Sequence, residues 1–289
     1  MSAATTAHVP VLLDACLEAL RPGPERWIVD ATFGAGGHTR AFLDAGAHVF
    51  ALDRDPGAAD RAAALGSERL TFAQGDFRDL ERLLASHDVP APHGVLMDLG
   101  VSSMQLDEGD RGFAFRKAGP LDMRMSRSGR SAADLIAEAD EAELAALLYR
   151  YGEERHSRRL ARAIVAARDE APITTTARLA EVVTNAYPPG PRRDHPARRT
   201  FQALRIVIND ELGALEEGLE AAARVLAPRG RLAVLAYHSL EDRIVKHFLR
   251  ASNRLTPLDK RPRTASDEEL AANPRARAAK LRVAEKDDG

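Results

Sequence analysis

Two acidic residues that end apolar runs, Asp53 and Asp98, and a glycine loop between them in the fold's logic are where this sequence could do chemistry. The stretch DATFGAGGH, residues 30–38, lies between an apolar run at 27–29 and a second at 48–52 that ends in Asp53. Short apolar runs bounded by glycine read as buried strands. Gly34, Gly36 and Gly37 let the backbone turn tightly and approach a ligand with no Cβ in the way. Asp53, at a strand's carboxyl end, is placed to accept hydrogen bonds from both hydroxyls of a ribose. Asp98 follows a further apolar run in MDLGVSSMQLD, residues 97–107. An open α/β sheet places its reactive groups at such an end, where a carboxylate can orient an amine or take up its proton. The plainer roles are a tight strand-to-helix turn for the glycines and a turn cap through Gly100 and Ser102 for Asp98. Convergence of both acids and the loop on one sheet edge favours the functional reading.

The loop also discriminates between nucleoside cofactors. A dinucleotide fingerprint, G-x-G-x-x-G, needs its third glycine to pack helix on strand, and here Thr39 stands in that place. NAD is therefore disfavoured. S-adenosylmethionine carries no pyrophosphate, so its loop needs close backbone approach but no anion cradle at the helix start.

The elements that must position these groups follow from periodicity. Apolar runs at 28–31, 49–52, 70–73 and 95–99, separated by alanine-rich helical segments such as 56–65, predict a βαβ series. After Gly100 the rhythm breaks. Residues 105–129 are rich in Gly, Asp and Arg, and helices are predicted over 141–151, 154–169 and 176–187, the last capped by Thr175 or Thr176. A Pro- and Arg-rich loop at 188–199 closes this insertion. Phe201, Leu204, Ile208, Leu212, Leu215, Leu219, Ala222 and Leu226 then predict one long amphipathic helix, ended by Pro228 and Gly230. A fifth strand at 232–237, a helix at 240–249 and a last strand at 280–284 complete the pattern. The expected organisation is a doubly wound α/β core from residues 1–105 and 200–289, interrupted by an all-helical domain at 106–199.

Composition narrows the function classes. The chain has 289 residues, 45% of them hydrophobic, enough for a core domain with an inserted one. A single cysteine, Cys16, excludes an internal disulfide and, between Leu13 and Leu17, reads as core. The beginning MSAATTAHVP has no leader pattern, and no run approaches a membrane span, so a cytoplasmic location without membrane contact is expected. The net charge of −2 argues against a uniformly basic nucleic-acid binder, so any such contact must use local patches. No His, Cys or carboxylate set shows metal-ligand spacing, and no metal is expected.

Taken together, the motifs closely resemble the ribosomal RNA small subunit methyltransferase H family. They run nearly end to end: HVPVLLD at 8–14, DATFGAGGH, LDRDP at 52–56, GDF at 75–77, DLGVSSMQLD, RGFAF at 111–115, PLDMRM at 120–125, YGEER at 151–155, HPARRTFQALRIVIN at 195–209, YHSLEDRIVK at 237–246 and NPRARAAKLR at 273–282. The resemblance implies a Rossmann-like class I methyltransferase core with an inserted helical domain. It implies S-adenosylmethionine as cofactor and N4-methylation of a cytidine in the decoding region of 16S rRNA, within the small ribosomal subunit. Its cofactor contacts would fall on Gly36, Gly37, His38, Asp53, Phe77, Asp98 and Gln105, with Phe77 offering an aromatic face to adenine. Two positions depart from the family: Ser126 where Asp is usual, and Tyr237 where Phe is usual.

A cytosine N4 amine is a poor nucleophile because its lone pair is delocalised into the ring, so positioning is the main task. The expected constellation is Asp98 with a Ser102 or Ser103 hydroxyl on the amine, while Phe113, Phe115 or Tyr237 stacks on the base. His238, after the fifth strand, is a candidate proton acceptor, with a structural role as the plainer alternative. Three arginine-rich patches are candidates for RNA: Arg111, Arg116, Lys117, Arg124, Arg127 and Arg130; Arg192, Arg193, Arg198, Arg199 and Arg205; and Arg275, Arg277, Lys280 and Arg282. Catalysis is expected in the cleft between core and insertion. The rival classes are a Rossmann dehydrogenase, which the missing glycine opposes, and a non-catalytic RNA-binding module, which would need neither Asp53 nor the glycine loop.

Overall fold

Parallel strands buried on both faces must be apolar almost without interruption, and the four central parallel strands of this chain meet that demand. The computed structural model describes residues 9–191 and 194–288. In chain order its elements begin with α1 (Leu13–Leu20), β1 (Trp27–Asp30), α2 (Gly37–Asp44), β2 (His48–Asp53), α3 (Ala58–Ala63), β3 (Leu70–Gln74), α4 (Leu80–Ser86) and β4 (Gly94–Asp98). Six further helices follow: α5 (Ser103–Asp107), α6 (Ala132–Glu138), α7 (Glu141–Gly152), α8 (Ser157–Glu170), α9 (Thr176–Ala186) and α10 (Arg198–Asn209). The chain ends with α11 (Glu211–Val225), β5 (Arg231–Ala236), α12 (Ser239–Ala251), β6 (Leu255–Pro257), α13 (Asp267–Ala272) and β7 (Lys280–Lys286). Among the described residues, no helix is long and apolar enough to cross a membrane.

The chain divides into two compact units, Met1–Gly100 with Leu212–Gly289, and Val101–Glu211. The first holds a seven-stranded sheet in the order β3-β2-β1-β4-β5-β7-β6. Strands β1 to β5 pair in parallel, whereas β7 runs antiparallel to β5 and to β6. Alternation sorts the side chains: Val29, Phe50, Leu52, Val95, Met97 and Val234 pack with Leu80, Leu215, Leu219 and Leu249 on one face. Ile28, Val49, Ala51, Leu96 and Leu235 pack with Cys16, Leu20, Phe42 and Ala58 on the other. β6, three residues long, escaped the sequence reading because so short a run has no period.

The second unit is helical. Leu135, Ile136, Leu144, Leu148, Leu160, Ile164, Leu179, Val183 and Leu204 form its core. Several of its helix starts are capped as polar side chains before apolar runs predict: Ser131 with Asp134 forms a reciprocal capping box, Asp140 accepts from the Glu143 amide, and Thr175 from that of Arg178. Where the sequence placed the insertion at 106–199, the compact unit runs from Val101 to Glu211. The difference lies at the expected single helix 201–226, which is in fact two. Asp210 takes a left-handed conformation at φ 47° and ends α10. Asn209, buried beside it, donates to the carbonyls of Met123 and Arg205 and accepts from the Met125 amide. These bonds bind the end of α10 into the helical unit. The apolar stripe continued across the break because α10 and α11 are each amphipathic on their own.

Gly218, within α11, has a packing reason that offsets its poor helix propensity. A Cβ there would come within 3.0 Å of Phe77 Cε2, so the missing side chain is the seat of the Phe77 ring. Alanine is the better helix former by ~1 kcal/mol, yet Gly218→Ala should destabilise the protein by about 1–3 kcal/mol through overpacking. Urea unfolding would measure this, and adding Phe77→Leu to the variant should recover part of the loss.

Candidate active site

The register of the parallel strands brings Asp30, Asp53 and Asp98 to the same carboxyl edge of the sheet, at the ends of β1, β2 and β4. Buried carboxylates need donors, and the glycine loop supplies them. Asp30, 1% exposed, accepts from the Thr32 amide at 3.2 Å and the Thr39 hydroxyl at 2.7 Å. Asp53 accepts from the Gly34 amide through Oδ2 and the Asp55 amide through Oδ1, both at 2.8 Å. Burial nevertheless pushes both carboxyls above the ordinary carboxylate range. Arg61 donates to the Gly34 carbonyl and holds the loop from its other side. Gly36 sits at φ +79°, and a Cβ on it would lie 2.7 Å from Phe33 Cζ; one on Gly37 would lie 2.5 Å from Pro10 Cγ. The glycines thus serve internal packing, not only approach by a ligand.

Asp98 is fixed by its neighbours on either side in the sheet. Its amide donates to Thr32 Oγ1 at 2.7 Å, and its Oδ1 accepts the Tyr237 hydroxyl at 2.6 Å. His38, buried in the first turn of α2, has Nε2 3.2 Å from the Val11 carbonyl and Nδ1 3.8 Å from Asp98 Oδ2. A quarter of the Asp98 side chain stays open to solvent. Burial raises its carboxyl above the usual range, opposed by His38 and the Tyr237 bond and reinforced by the Asp30 and Glu241 charges. Asp98 therefore caps no turn through Ser102; its bonds run to strand neighbours.

Other sequence expectations are relocated. His238 is the N-cap of α12: its Nδ1 faces the Glu241 amide at 3.4 Å, while Glu241 Oε2 accepts from the Tyr237 and His238 amides. That post uses Nδ1 structurally, while Nε2 lies 3.1 Å from Glu241 Oε1. Ser102 caps α5 by accepting from the Gln105 amide, and Gln105 Oε1 accepts from the Ser102 amide. The Ser102 hydroxyl and the Gln105 side chain thus have a local task; Ser103 is the first residue of α5. Phe77 stands in a short 3₁₀ turn with its ring against Gly218 and the sheet core. Asp76, beside it, pairs with Arg54 at 2.5 Å and caps the turn through the Arg78 amide.

In the helical unit the aromatics and most arginines expected to meet RNA are occupied. Phe113 is buried in the core at 6% exposure, which corrects its expected stacking role. Phe115 stacks on His195 with ring centres 4.6 Å apart and meets Phe201 at right angles, so one of its faces is taken. Arg111 is buried and donates to the carbonyls of Arg124 and Met125. Arg124 forks onto Asp122, and this bonding, outweighing partial burial, holds the Asp122 carboxyl below its ordinary range. Arg205 forks onto Glu211, Arg198 pairs with Asp194, and Arg199 donates to the Glu153 carbonyl. In the first unit, Lys280 and Arg282 both bind Asp242. Arg192 and Arg193 lie outside the described residues. The sequence reading missed a row at helical spacing: Arg155, Arg158, Arg159 and Arg162 are all exposed along α8 and its approach. The signal was there, three and four residues apart, opposite the buried Leu160, Ala161 and Ile164.

A doubly wound sheet with an antiparallel seventh strand, a glycine loop after β1 and acids ending β2 and β4 define a class I methyltransferase core. The chain belongs to the MraW methylase family, whose model matches residues 5–287. It is 57% identical over 282 residues to the ribosomal RNA small subunit methyltransferase H of Deinococcus radiodurans, covering 98% of this chain and 90% of that one. The protein of the same name from Deinococcus deserti is 57% identical over 285 residues, covering 99% and 95%. That from Rhodospirillum centenum is 51% identical over 306 residues, covering 98% and 93%.

If Arg111 braces the loop and leaves RNA alone, Arg111→Met should lower stability by about 2–4 kcal/mol, because two carbonyls lose a charged donor. The salt dependence of RNA binding should keep its wild-type slope. A shallower slope in filter-binding titrations would assign Arg111 to a phosphate instead.

Proposed function

We propose that the protein methylates the exocyclic N4 of a cytidine in the decoding region of 16S rRNA, in the cytoplasm, with S-adenosylmethionine as methyl donor. The observation that carries this reading is the Asp98 carboxylate, held by Tyr237 beside His38 at the edge where Asp53 stands. The names of the relatives support the substrate. The donor set also fits the cofactor. Each Asp53 oxygen uses one acceptor site on a backbone amide, which leaves capacity for the two ribose hydroxyls. Gly36, Gly37 and His38 would line the methionine part, with Phe77 as a further contact. When bound, S-adenosylmethionine supplies an electrophilic methyl group.

The protein's own residues then have defined tasks. Asp98 accepts a hydrogen bond from the N4 amine, which localises the nitrogen lone pair and orients it. As nitrogen becomes cationic, Asp98 takes one of its protons. His38, with its Nε2 at the Val11 carbonyl, has Nδ1 toward the same carboxylate. RNA is engaged through phosphate contacts by the exposed row Arg155, Arg158, Arg159 and Arg162.

Three measurements test the reading. Labelled methyl transfer to small-subunit particles and to naked rRNA, followed by mapping of the modified nucleotide, should place the label on one cytidine N4; label elsewhere would overturn the substrate. Asp98→Asn should lower turnover by at least ~10²-fold, as removal of a general base does, while S-adenosylmethionine affinity by calorimetry changes far less. Arg158→Glu with Arg159→Glu should weaken RNA binding and flatten its slope against log salt by about 2, leaving cofactor affinity unchanged.

A further inference from the structure

Tyr237 is expected on sequence to offer its ring to a base, but its hydroxyl has a different partner. We propose that Tyr237 is a positioning residue for methyl transfer: its phenol, bonded to Asp98 Oδ1, locks the carboxylate so that Oδ2 is the oxygen presented to the substrate amine beside His38. This rests on the assignment of Asp98 as the group that meets the amine.

The geometry of the first unit carries the inference. Asp98 pairs with Leu235 across β4 and β5, so Tyr237, two residues on, projects from the same face just past the strand end. Its ring packs with the cluster that contains Leu235. Its backbone is pinned independently, because the Tyr237 amide donates to Glu241 Oε2 at 2.7 Å. The phenol therefore reaches Asp98 from a fixed base, and the O···O distance of 2.6 Å is that of a charge-assisted bond. The other carboxylate oxygen, Oδ2, is the one 3.8 Å from His38 Nδ1. Phenylalanine would fill the same space and leave Oδ1 with no donor from this strand.

Charge around the carboxylate makes this donor matter. Asp30 from β1 and Glu241 from α12 oppose ionisation of Asp98, while His38 from α2 and the phenol favour it. Cys16 of α1, a further titratable neighbour, is driven upward by burial and then by the Asp98 charge, so it stays a neutral thiol. Burial, followed by Asp98 itself, likewise keeps the Tyr237 phenol protonated. It is a donor throughout the working pH range. A bond to the charged form lowers a carboxyl's proton affinity, so removing it must move the acid limb of the rate profile to higher pH.

The test is Tyr237→Phe in the full chain, with single-turnover transfer of labelled methyl to small-subunit particles followed across pH. The expected result is a rate at neutral pH lower by about tenfold or more, in line with loss of one charge-assisted bond. The acid limb should move upward while S-adenosylmethionine affinity stays close to wild type, and the urea midpoint should fall by no more than the loss of one hydrogen bond, leaving the protein folded under assay conditions. In an Asp98→Asn background, Tyr237→Phe should add little further loss, because the pair acts as a unit. A wild-type rate and pH profile for Tyr237→Phe beside an inactive Asp98→Asn would overturn the role of Tyr237 alone. A fully active Asp98→Asn would remove the assignment of Asp98 and this inference with it. Additive losses in the double variant would show that Tyr237 acts through something other than Asp98.

Discussion

Three carboxylates lie at the carboxyl edge of one parallel sheet, and the need to compensate them organises the loops around it. Taking a carboxylate out of water costs several kcal/mol unless donors replace the lost hydration. Asp30 obtains the Thr32 amide and the Thr39 hydroxyl; Asp53 obtains the Gly34 and Asp55 amides; Asp98 obtains the Tyr237 hydroxyl. Most of these donors come from the turns that follow the strands, so the turns are held in the conformation that points their amides inward. Thr32 serves twice, its amide on Asp30 and its hydroxyl under the Asp98 amide, and so ties the end of β1 to that of β4. A one-residue slip of either strand would invert every side chain on it and leave these acids facing the apolar layers.

The same accounting separates arginines that build the protein from arginines that can meet a polyanion. Arg111 and Arg168 donate into backbone carbonyls inside the helical unit; Arg124 and Arg205 fork onto single carboxylates. A guanidinium in a fixed bidentate geometry is a structural fastener, and its charge is neutralised locally. The row at 155, 158, 159 and 162 differs: it is exposed, and among the described residues Arg155, Arg158 and Arg159 form no ion pair. Arginine-rich motifs in a sequence therefore say that charge is present, and the fold says whether it has already found its partner.

Small residues and caps carry a comparable division. Gly218 exists for the Phe77 ring, Gly37 for Pro10 and Gly36 for both its backbone angle and Phe33. His238 and Glu241 close the start of α12 and, in doing so, anchor Tyr237. A cap that would otherwise be incidental thus sets where a phenol stands next to Asp98.

Much of this was legible in the amino-acid order. Apolar runs marked β1 to β5, most continuous in β1, β2, β4 and β5, because strands buried on both faces tolerate little else; Asp53 and Asp98 stood at the ends of β2 and β4, and the loop at 34–39 spoke against a dinucleotide. These are local signals, carried by residue type and spacing. What only the tertiary structure decided is pairing over long separations. The Tyr237 hydroxyl finds Asp98 across 139 positions, and Asn209 finds Met123 across 86. The division of residues 201–226 into two helices falls at Asp210, next to the second of these contacts, while periodicity ran straight through it. Periodicity reports which face of an element is buried. Which partner meets a polar group there depends on sheet register and helix packing, and those are set by the whole chain at once.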